Sequence, residues 1–268
     1  MGKRKRAIGS RKAGHMLVGE RRQHILHVIQ TEGRALVDDL SESLGISRIT
    51  IRKDLDFLQA KGLIERTHGG ALPIQHGTLA DPSLKEKEKE HHAEKLRIAV
   101  AAAKLVQEGQ CVMLDSGTTT MALTRVLKRF ESLTVITNAV NIAAELAGTN
   151  LEVILTGGAL RKNSFSLVGP LAEDVLREMH ADILFLGVDG FDVESGPSTP
   201  NMLESRVNRR MVESANRVVV VCDSTKFMRR SLARIVPTAA IHHVITDKGL
   251  PHATAEALRA RNIEVTLV

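Results

Sequence analysis

The sequence predicts a two-part α/β protein, in which a small helical part precedes a larger part where strands and helices alternate. Its 268 residues are enough for about two domains. Residues 20–60 repeat apolar side chains at helical spacing, with glycines between the repeats. From residue 93 onward, short apolar runs alternate with amphipathic stretches, which is typical of a largely parallel sheet covered by helices on both faces.

Composition narrows the class of protein. A hydrophobic share of 43% and a charged share of 25% are ordinary for a soluble globular protein. The longest apolar run falls well short of the roughly 20 residues that span a bilayer, and the basic N-terminus lacks a signal-peptide core, so we expect a cytoplasmic protein. The absence of Trp and Tyr, with only 6 Phe, disfavours proteins that stack RNA or single strands on aromatic side chains.

The excess of positive charge is confined to the N-terminal end. Residues 1–80 hold 14 Lys and Arg against 8 Asp and Glu, whereas residues 81–268 hold 23 of each. Six of these cations lie in residues 1–14, so residues 15–80 are balanced. We expect residues 1–17 to form a basic, disordered tail. Two interpretations stay open: translation starts at Met16 instead, or the tail belongs to the protein and follows phosphates without choosing a sequence. Charge therefore indicates a nucleic-acid partner but does not by itself establish a DNA-binding domain.

Three helices are predicted near the start of the chain, over residues 20–32, 38–44 and 48–60. Gly45 ends the second helix, and Ser47 is a good N-cap for the third. A short helix, a glycine turn and a capped helix form the helix-turn-helix pattern.

One face of the third helix is predicted to read DNA. At about 100° per residue, Ile51, Leu55 and Leu58 share an apolar stripe that packs on the other two helices. Cationic and hydroxyl side chains on the other side can donate to guanine or contact a thymine methyl or a phosphate. Residues 62–71 predict a two-stranded wing with a glycine-rich bend. The DNA-contacting residues predicted from helix and wing are Ser47, Arg48, Thr50, Arg52, Lys53, Arg66 and His68.

The spacing alone leaves a second interpretation, a three-helix protein-interaction domain whose charged face is merely solvated. The residues are more specific. The stretch SRITIRKDL (47–55), followed by Leu58, Gly62 and RTHGGA (66–71), resembles the signature of the DeoR family of bacterial transcriptional regulators. This resemblance implies a winged helix-turn-helix over residues 18–75 that binds double-stranded DNA through the 47–55 helix.

Residues 76–92 are predicted to be a polar linker between the two domains. Lys and Glu alternate from Lys85 to Glu90, leaving little apolar surface to bury. This run is typical of a solvated helix start stabilised by side-chain pairs rather than of a binding segment. We expect helix from near Ser83 to Leu105, and a second domain over residues 93–268.

The second domain is predicted to contain seven strands and at least five helices. The predicted strands are Cys111–Asp115, Thr134–Thr137, Val153–Thr156, Ile183–Gly187, Val218–Asp223, Val244–Asp247 and Ile263–Val268. The predicted helices between them are Thr120–Arg129, Ala139–Leu146, Leu171–His180, Leu203–Ala215 and Ala253–Arg261. In such a sheet, ligands bind beyond the carboxyl ends of the strands.

The segment Asp115–Thr120 (DSGTTT) directly follows the first of these strands and opens a helix. Gly117 allows a tight turn, the helix N-terminus offers unpaired N–H groups, and four hydroxyls add donors. The segment predicts an anion pocket, most naturally for phosphate, although an ordinary strand-to-helix turn is the alternative in isolation. It is not a Walker loop, because no Gly-Lys-Ser/Thr follows.

Further polar motifs follow other strands and together predict a single cleft. It would combine the phosphate cradle with a cation from Lys226 or Arg161, and with carboxyls or amides for hydroxyl groups. A phosphorylated polyol or sugar fits this set. The predicted effector-binding residues are Asp115, Ser116, Gly117, Thr118, Thr119, Thr120, Asn138, Gly157, Gly158, Arg161, Asp189, Glu204 and Lys226.

These motifs also resemble the DeoR-family effector domain, which is similar in fold to ribose-5-phosphate isomerase and the amino-sugar-phosphate deaminases. In that family the domain usually binds a phosphorylated sugar as inducer. The stretches LFLGVDG (184–190), NRRM (208–211) and DSTKF (223–227) look most like the branch controlling amino-sugar use, such as the N-acetylgalactosamine repressor.

The predicted function is a transcriptional repressor of a carbohydrate or amino-sugar catabolic operon, relieved by a phosphorylated sugar. A homodimer would place recognition helices in successive major grooves, and a homotetramer could loop DNA, so we expect nucleoid association and no membrane partner. The alternative is a sugar-phosphate isomerase or deaminase with a fused DNA-binding head, in which Asp189 and Glu204 transfer protons. A nucleoid-associated protein without a ligand is a third interpretation.

We predict no metal, cofactor or catalytic residue. The pairs His91-His92 and His242-His243 lack the ligand spacing of a metal site, because adjacent side chains diverge on helices and strands. The two cysteines lie in apolar strands, which indicates buried small side chains and a reducing compartment rather than a disulfide framework.

Overall fold

A computed structural model describes residues 16–60, 63–73 and 78–268, and the chain divides into two compact units, Met1–His76 and Gly77–Val268. Residues 1–15 of the predicted tail and Gly62 of the predicted wing lie outside the described residues. None of the helices described in these ranges is long and apolar enough to cross a membrane.

The first unit contains three helices and a small antiparallel sheet. Its elements are α1 (Val18–Glu32), β1 (Ala35–Leu36), α2 (Val37–Leu44), α3 (Arg48–Ala60), β2 (Ile64–Thr67) and β3 (Gly70–Pro73). The helices confirm the three predicted ones, and β2 and β3 form the predicted wing. The short strand β1, which sequence patterning did not predict, pairs with β3. A Cβ on Gly70 would lie 2.3 Å from the Ala35 carbonyl oxygen, so this pairing requires glycine.

Helix α3 is fixed against α1 by apolar packing and by one buried carboxylate. The stripe Ile51, Leu55 and Leu58 is at most 3% exposed, as the helical spacing predicted. Asp54, 1% exposed, lies 2.5 Å from the Arg21 Nε and 2.8 Å from the Arg22 Nε. Burial acts to raise the pKa of Asp54, but the two guanidinium groups outweigh it and lower that pKa.

The second unit alternates strands and helices along most of its length. Its helices are α4 (Leu84–Lys89), α5 (His92–Ala103), α6 (Thr118–Leu127), α7 (Val140–Leu146), α8 (Pro170–Arg177), α9 (Met202–Glu213) and α10 (His252–Arg259). Its strands are β4 (Cys111–Leu114), β5 (Thr134–Thr137), β6 (Glu152–Leu155), β7 (Ala159–Arg161), β8 (Ser166–Val168), β9 (Ala181–Leu186), β10 (Gly190–Asp192), β11 (Gly196–Thr199), β12 (Ala215–Val221), β13 (Ala233–Arg234), β14 (His243–Thr246) and β15 (Glu264–Leu267).

All seven predicted strands lie in one sheet, in the order β15-β14-β12-β9-β4-β5-β6. Every neighbouring pair is parallel. Alternate residues of a strand enter two separate cores. On β9, Leu184 and Leu186 pack towards α8, α9 and α10, whereas Ile183 and Phe185 pack towards α5, α6 and α7. Because both faces are covered, the strands read as continuous apolar runs, and the α/β prediction is confirmed.

Five short strands of this unit were not predicted. β10, β11 and β13 form an antiparallel sheet, and β7 pairs with β8. Each has two to four residues, which is too short for a periodic signal.

The structure also differs from the predicted linker over residues 76–92. Instead of one helix from Ser83 to Leu105, two helices are separated at Glu90 and His91, and His91 has a positive φ of 51°. The Ser83 Oγ caps α4 by accepting from the Glu86 N–H, and the Leu84 side chain is buried. The segment from residue 78 is therefore packed into the second unit, because Leu84 supplies an apolar anchor within the charged run.

Candidate functional site

The exposed side of α3 carries most of the side chains predicted to contact DNA. Arg48, Arg52 and Lys53 are all exposed. Arg48 lies 2.8 Å from Asp38, but both side chains are more than 60% exposed, so water screens this pair. Within the described part of the chain, Arg52 and Lys53 form no ion pair, which leaves both charges available to phosphates and base edges.

The remaining predicted DNA contacts have local structural tasks as well. The Ser47 Oγ accepts from the Thr50 N–H at 3.3 Å and lies 3.0 Å from the Thr50 Oγ1, so this pair fixes the start of α3. Arg66 donates to the Gly70 carbonyl at 2.9 Å and lies 3.2 Å from Asp56. His68, at the tip of the wing, is exposed. Arg66 therefore ties the wing to α3 through Nε and Nη1, and its remaining N–H donors can meet a phosphate.

A cleft in the second unit lies beyond the carboxyl ends of three adjacent strands, β4, β9 and β12. This is the edge where parallel sheets bind ligands. Loops after these strands, together with α4, α5, β11 and α9, supply its walls. The polar and charged side chains that line it are Lys87, Lys95, Asp115, Ser116, Thr118, Thr119, Ser164, Asp189, Thr199, Glu204, Asn208, Asp223 and Lys226.

The loop after β4 is held tightly by Asp115. Its Oδ1 accepts from the Gly117 N–H at 3.1 Å and from the Thr120 Oγ1 at 2.9 Å. Cβ atoms on Gly117 or Gly187 would each approach an Asp115 carboxylate oxygen to within 3.2 Å, so a side chain at either position would crowd this carboxylate. The N-terminal N–H groups of α6 start at this loop, where they can donate to an anion.

Burial raises the pKa of Asp115 to about 6, although hydrogen bonds from Gly187, Thr120 and Gly117 counteract it. The carboxyl is 4% exposed. A group with this pKa loses its negative charge within a mildly acidic range, and an anion bound beside it then meets less repulsion.

Three lysines give the cleft its positive side. Lys87 Nζ lies 2.6 Å from the Asp189 Oδ1. Lys95 is 5% exposed and donates to the Glu90 carbonyl at 2.7 Å and to the Lys87 carbonyl, and burial lowers its pKa. Half-buried Lys226 forms no ion pair with any described residue, so its charge is the most readily available to an incoming anion.

Buried Asp223 stands beside these lysines, 1% exposed at the end of β12. Burial acts to raise its pKa, but the Lys226 charge and the Thr225 hydrogen bond, with His91 and Lys95, lower it overall. Asp223 therefore stays ionised and orients the cationic side of the cleft.

Two further carboxylates line the cleft. Asp189 Oδ2 accepts from the Thr199 Oγ1 at 3.0 Å, in addition to its ion pair. Glu204, 7% exposed, accepts through Oε1 from the Ser166 Oγ at 2.8 Å and from the Arg161 Nη1 at 3.2 Å. The cleft thus combines lysines with hydrogen-bonded carboxylates, which suits a polar ligand with an anionic group.

Family models match both units. The DeoR-like helix-turn-helix domain matches residues 21–76, and the DeoR C-terminal sensor domain matches residues 90–248, more than half of the chain. The chain belongs to the DeoR family. The resemblance predicted from the sequence is therefore confirmed.

Relatives of this DeoR-family chain are named as transcriptional regulators. It is 43% identical over 93% of both chains to a protein of Escherichia coli O157:H7 named as an aga operon transcriptional repressor. It is 39% identical to the HTH-type transcriptional regulator GlpR of Haloferax volcanii, over 93% of this chain and 98% of that protein. The chain is thus a transcriptional regulator, and the alternative of an isomerase or deaminase enzyme is not favoured.

Among solved structures, ribose 5-phosphate isomerase A of Methanocaldococcus jannaschii aligns with 52% of this chain and 56% of its own. The TM-score is 0.40 and the identity 18%. A similarity this low supports no functional argument.

The structure brings together most of the effector-binding residues predicted for this DeoR-family chain. Asp115, Ser116, Gly117, Thr118, Thr119, Asp189, Glu204 and Lys226 line the cleft. Thr120 lies behind the loop, fully buried, as the donor to Asp115.

Besides Thr120, four predicted residues do not line the cleft. Asn138 is fully buried and donates to the Leu167 carbonyl at 3.2 Å. Gly157 and Gly158 have positive φ values of 73° and 116° and form the turn that leads into β7. Arg161 stands behind Glu204 and pairs with both Glu204 and Asp81.

The predicted set left out six polar residues of the cleft: Lys87, Lys95, Ser164, Thr199, Asn208 and Asp223. Lys87 belongs to a run of alternating Lys and Glu, in which no lysine differs from its neighbours. Asn208 and Asp223 lie in the NRRM and DSTKF stretches, which contributed to the family resemblance but not to the predicted cleft.

The described residues include no group of three or more His, Cys, Asp and Glu side chains that could hold a metal ion. Cys222 lines the cleft, but burial raises the pKa of its thiol well above the ordinary value, so it stays a protonated, unreactive group.

Proposed function

We propose that this DeoR-family regulator represses a carbohydrate or amino-sugar catabolic operon and that a phosphorylated sugar in the cleft weakens its hold on DNA. The single observation that carries the proposal is the cleft of the sensor domain, which a helix N-terminus, three lysines and hydrogen-bonded carboxylates line together. A phosphate accepts hydrogen bonds from the helix N-terminus and the lysines, and sugar hydroxyls or amines donate hydrogen bonds to the carboxylates.

The names of the relatives support the operon class. One relative is named as a transcriptional repressor of the aga operon. Two others are named as the HTH-type transcriptional regulators GlpR and GolR. Together with the resemblance of three stretches to the amino-sugar branch, this favours an amino-sugar phosphate among the candidate effectors.

Seven residues are proposed as the DNA contacts: Ser47, Arg48, Thr50, Arg52, Lys53, Arg66 and His68. A homodimer would place two copies of α3 about 34–36 Å apart, in successive major grooves, and a homotetramer could hold two such sites. The proposed location is the cytoplasm, on nucleoid DNA.

The test begins with selection of a binding site from random duplexes by the full-length protein. The selected operator is then titrated in the presence of hexose, hexosamine, N-acetylhexosamine and hexitol phosphates. We expect at least one sugar phosphate to weaken operator binding by about 5- to 150-fold, the usual range of allosteric coupling. Failure to select any sequence, or operator affinity unmoved by every sugar phosphate, would refute the proposal.

A further inference from the structure

Two acceptor atoms on one face of α9 lack a strong hydrogen-bond partner within the cleft. Asn208 lines the cleft and is 7% exposed, and its Oδ1 has no partner among the described residues. Glu204 lies four residues earlier, so both side chains leave the helix on the same side. The Glu204 Oε1 is well engaged, but its Oε2 has only a 3.5 Å contact with the Thr199 Oγ1.

An unpaired buried acceptor is unusual because nearly all buried polar groups in folded proteins are hydrogen-bonded. Three other oxygens in the described residues share this property, on Asn138, Asn141 and Thr246, and none of those residues lines the cleft. Only at Asn208, within that set, can a bound molecule supply the missing donor. For Asn208, a molecule bound in the cleft can therefore supply the hydrogen-bond donor that the protein does not.

We infer that Asn208, with the Glu204 Oε2, forms the element that recognises the sugar part of the effector. The two acceptors bind a ligand group that carries O–H or N–H donors, a hydroxyl or an amine. This inference rests on the proposed function and adds to it a residue that sets specificity. The phosphate is held elsewhere, by the α6 N-terminus and the lysines.

Asn208 and Glu204 give specificity both by binding ligands that carry the donor and by disfavouring ligands that lack it. A ligand without the donor still buries the two acceptors and leaves them unpaired, so it loses more affinity than one ordinary hydrogen bond provides. Arg161 and Ser166 bind the Glu204 Oε1, which fixes the direction of the Glu204 Oε2 beside Asn208.

Isothermal titration calorimetry of the full-length protein tests the inference. The probes are hexose, hexosamine, N-acetylhexosamine and hexitol phosphates, and inorganic phosphate separately. Asn208→Leu, which keeps the side-chain size and removes the acceptor, should weaken binding of the tightest sugar phosphate by about tenfold or more. Inorganic phosphate should change less than about twofold, because it contacts the cradle alone. Arg206→Ala, an exposed position on the same helix, is the matched control.

Deoxy analogues of the tightest ligand then locate the donor. In the wild type, one analogue should lose about tenfold in affinity, and Asn208→Leu should lose nothing further with that analogue. If Asn208→Leu does not fold, judged by its thermal unfolding, Asn208→Ala replaces it and should show the same selective loss.

Two results would overturn the inference. One is sugar-phosphate affinity equal in the variant and the wild type, and the other is an equal loss for inorganic phosphate and sugar phosphate. A wild type that binds no sugar phosphate would instead refute the proposed function itself, so the two failures are distinct.

Discussion

The Lys87 Nζ lies 2.6 Å from the Asp189 Oδ1, so a cation of α4 is neutralised inside the cleft by the loop after β9. Both side chains are largely buried, at 18% and 22% exposed. An incoming anion must compete with Asp189 for this lysine. The Lys87–Asp189 ion pair therefore lowers the affinity of the cleft for an anion.

Removing the charge of Asp189 should release Lys87 to an anion. We expect Asp189→Asn to strengthen binding of inorganic phosphate by about three- to tenfold, since one opposing charge near the site disappears. Calorimetric titration of the full chain measures this. Asp174→Asn, at an exposed position of α8, should have no effect. Weaker phosphate binding by Asp189→Asn would show that Asp189 does not hold the lysine away from the anion.

On α3, Arg52 is predicted to read a base. Arg52→Ala should cost roughly 1–3 kcal/mol of operator affinity and relax the preference at one base pair. Lys53→Ala should instead weaken all duplexes alike and reduce the salt dependence by about one unit of slope. Fluorescence anisotropy on the selected operator and its single-base variants distinguishes the two, with exposed Gln59→Ala as control. Unchanged operator affinity would remove Arg52 from the interface.

The buried Asp54 should stabilise the DNA-binding domain. Asp54→Asn leaves Arg21 and Arg22 without their shared partner, and we expect a loss of about 2–3 kcal/mol, less than a fully buried pair because both arginines keep some water contact. Since the folded pKa is lowered, this contribution is present above the ordinary carboxyl pKa and is lost as pH falls through the lowered one. Hydrogen exchange of α1 and α3 amides measures it, with Asp56→Asn as control. Equal exchange in Asp54→Asn and wild type would refute the prediction.

The raised pKa of Asp115 predicts a pH dependence of anion binding. As pH falls from 7.5 through about 6, the carboxyl takes up a proton and its charge no longer opposes an anion. Affinity for sulfate, which does not itself titrate in this range, should rise about three- to tenfold. Asp115→Asn should flatten the profile, whereas Asp174→Asn, at an exposed position of α8, should keep it. A rise of the same size in Asp115→Asn would assign the effect to another group.

The central sheet and the helix-turn-helix could be predicted because each of their elements carries its own signal. Strand β9, for example, sends alternate apolar side chains into the two cores on either face of the sheet. Helix α3 has a capping serine at its start and a stripe of apolar residues along one face. The short strands β10, β11 and β13 carry no such signal, since their pairing depends on contacts distant in sequence.

The cleft could be predicted at its strand ends and less well elsewhere. Asp115 and Lys226 follow strands directly, and strand ends meet at one edge. Lys87 reaches the cleft only because Leu84 anchors α4, a tertiary fact that a run of alternating charges does not reveal. Arg161 has the charge of an anion ligand, yet the fold places Asp81 and Glu204 beside it.

The most direct test of the switch is operator affinity with and without the effective sugar phosphate, in the wild type, Thr119→Ala and Lys226→Ala. We predict that all three proteins bind the operator alike without ligand and that only the wild type releases it, by the equivalent of roughly 1–3 kcal/mol. Normal ligand-driven release by both variants would contradict the account, because the anion would then be held somewhere other than this cleft.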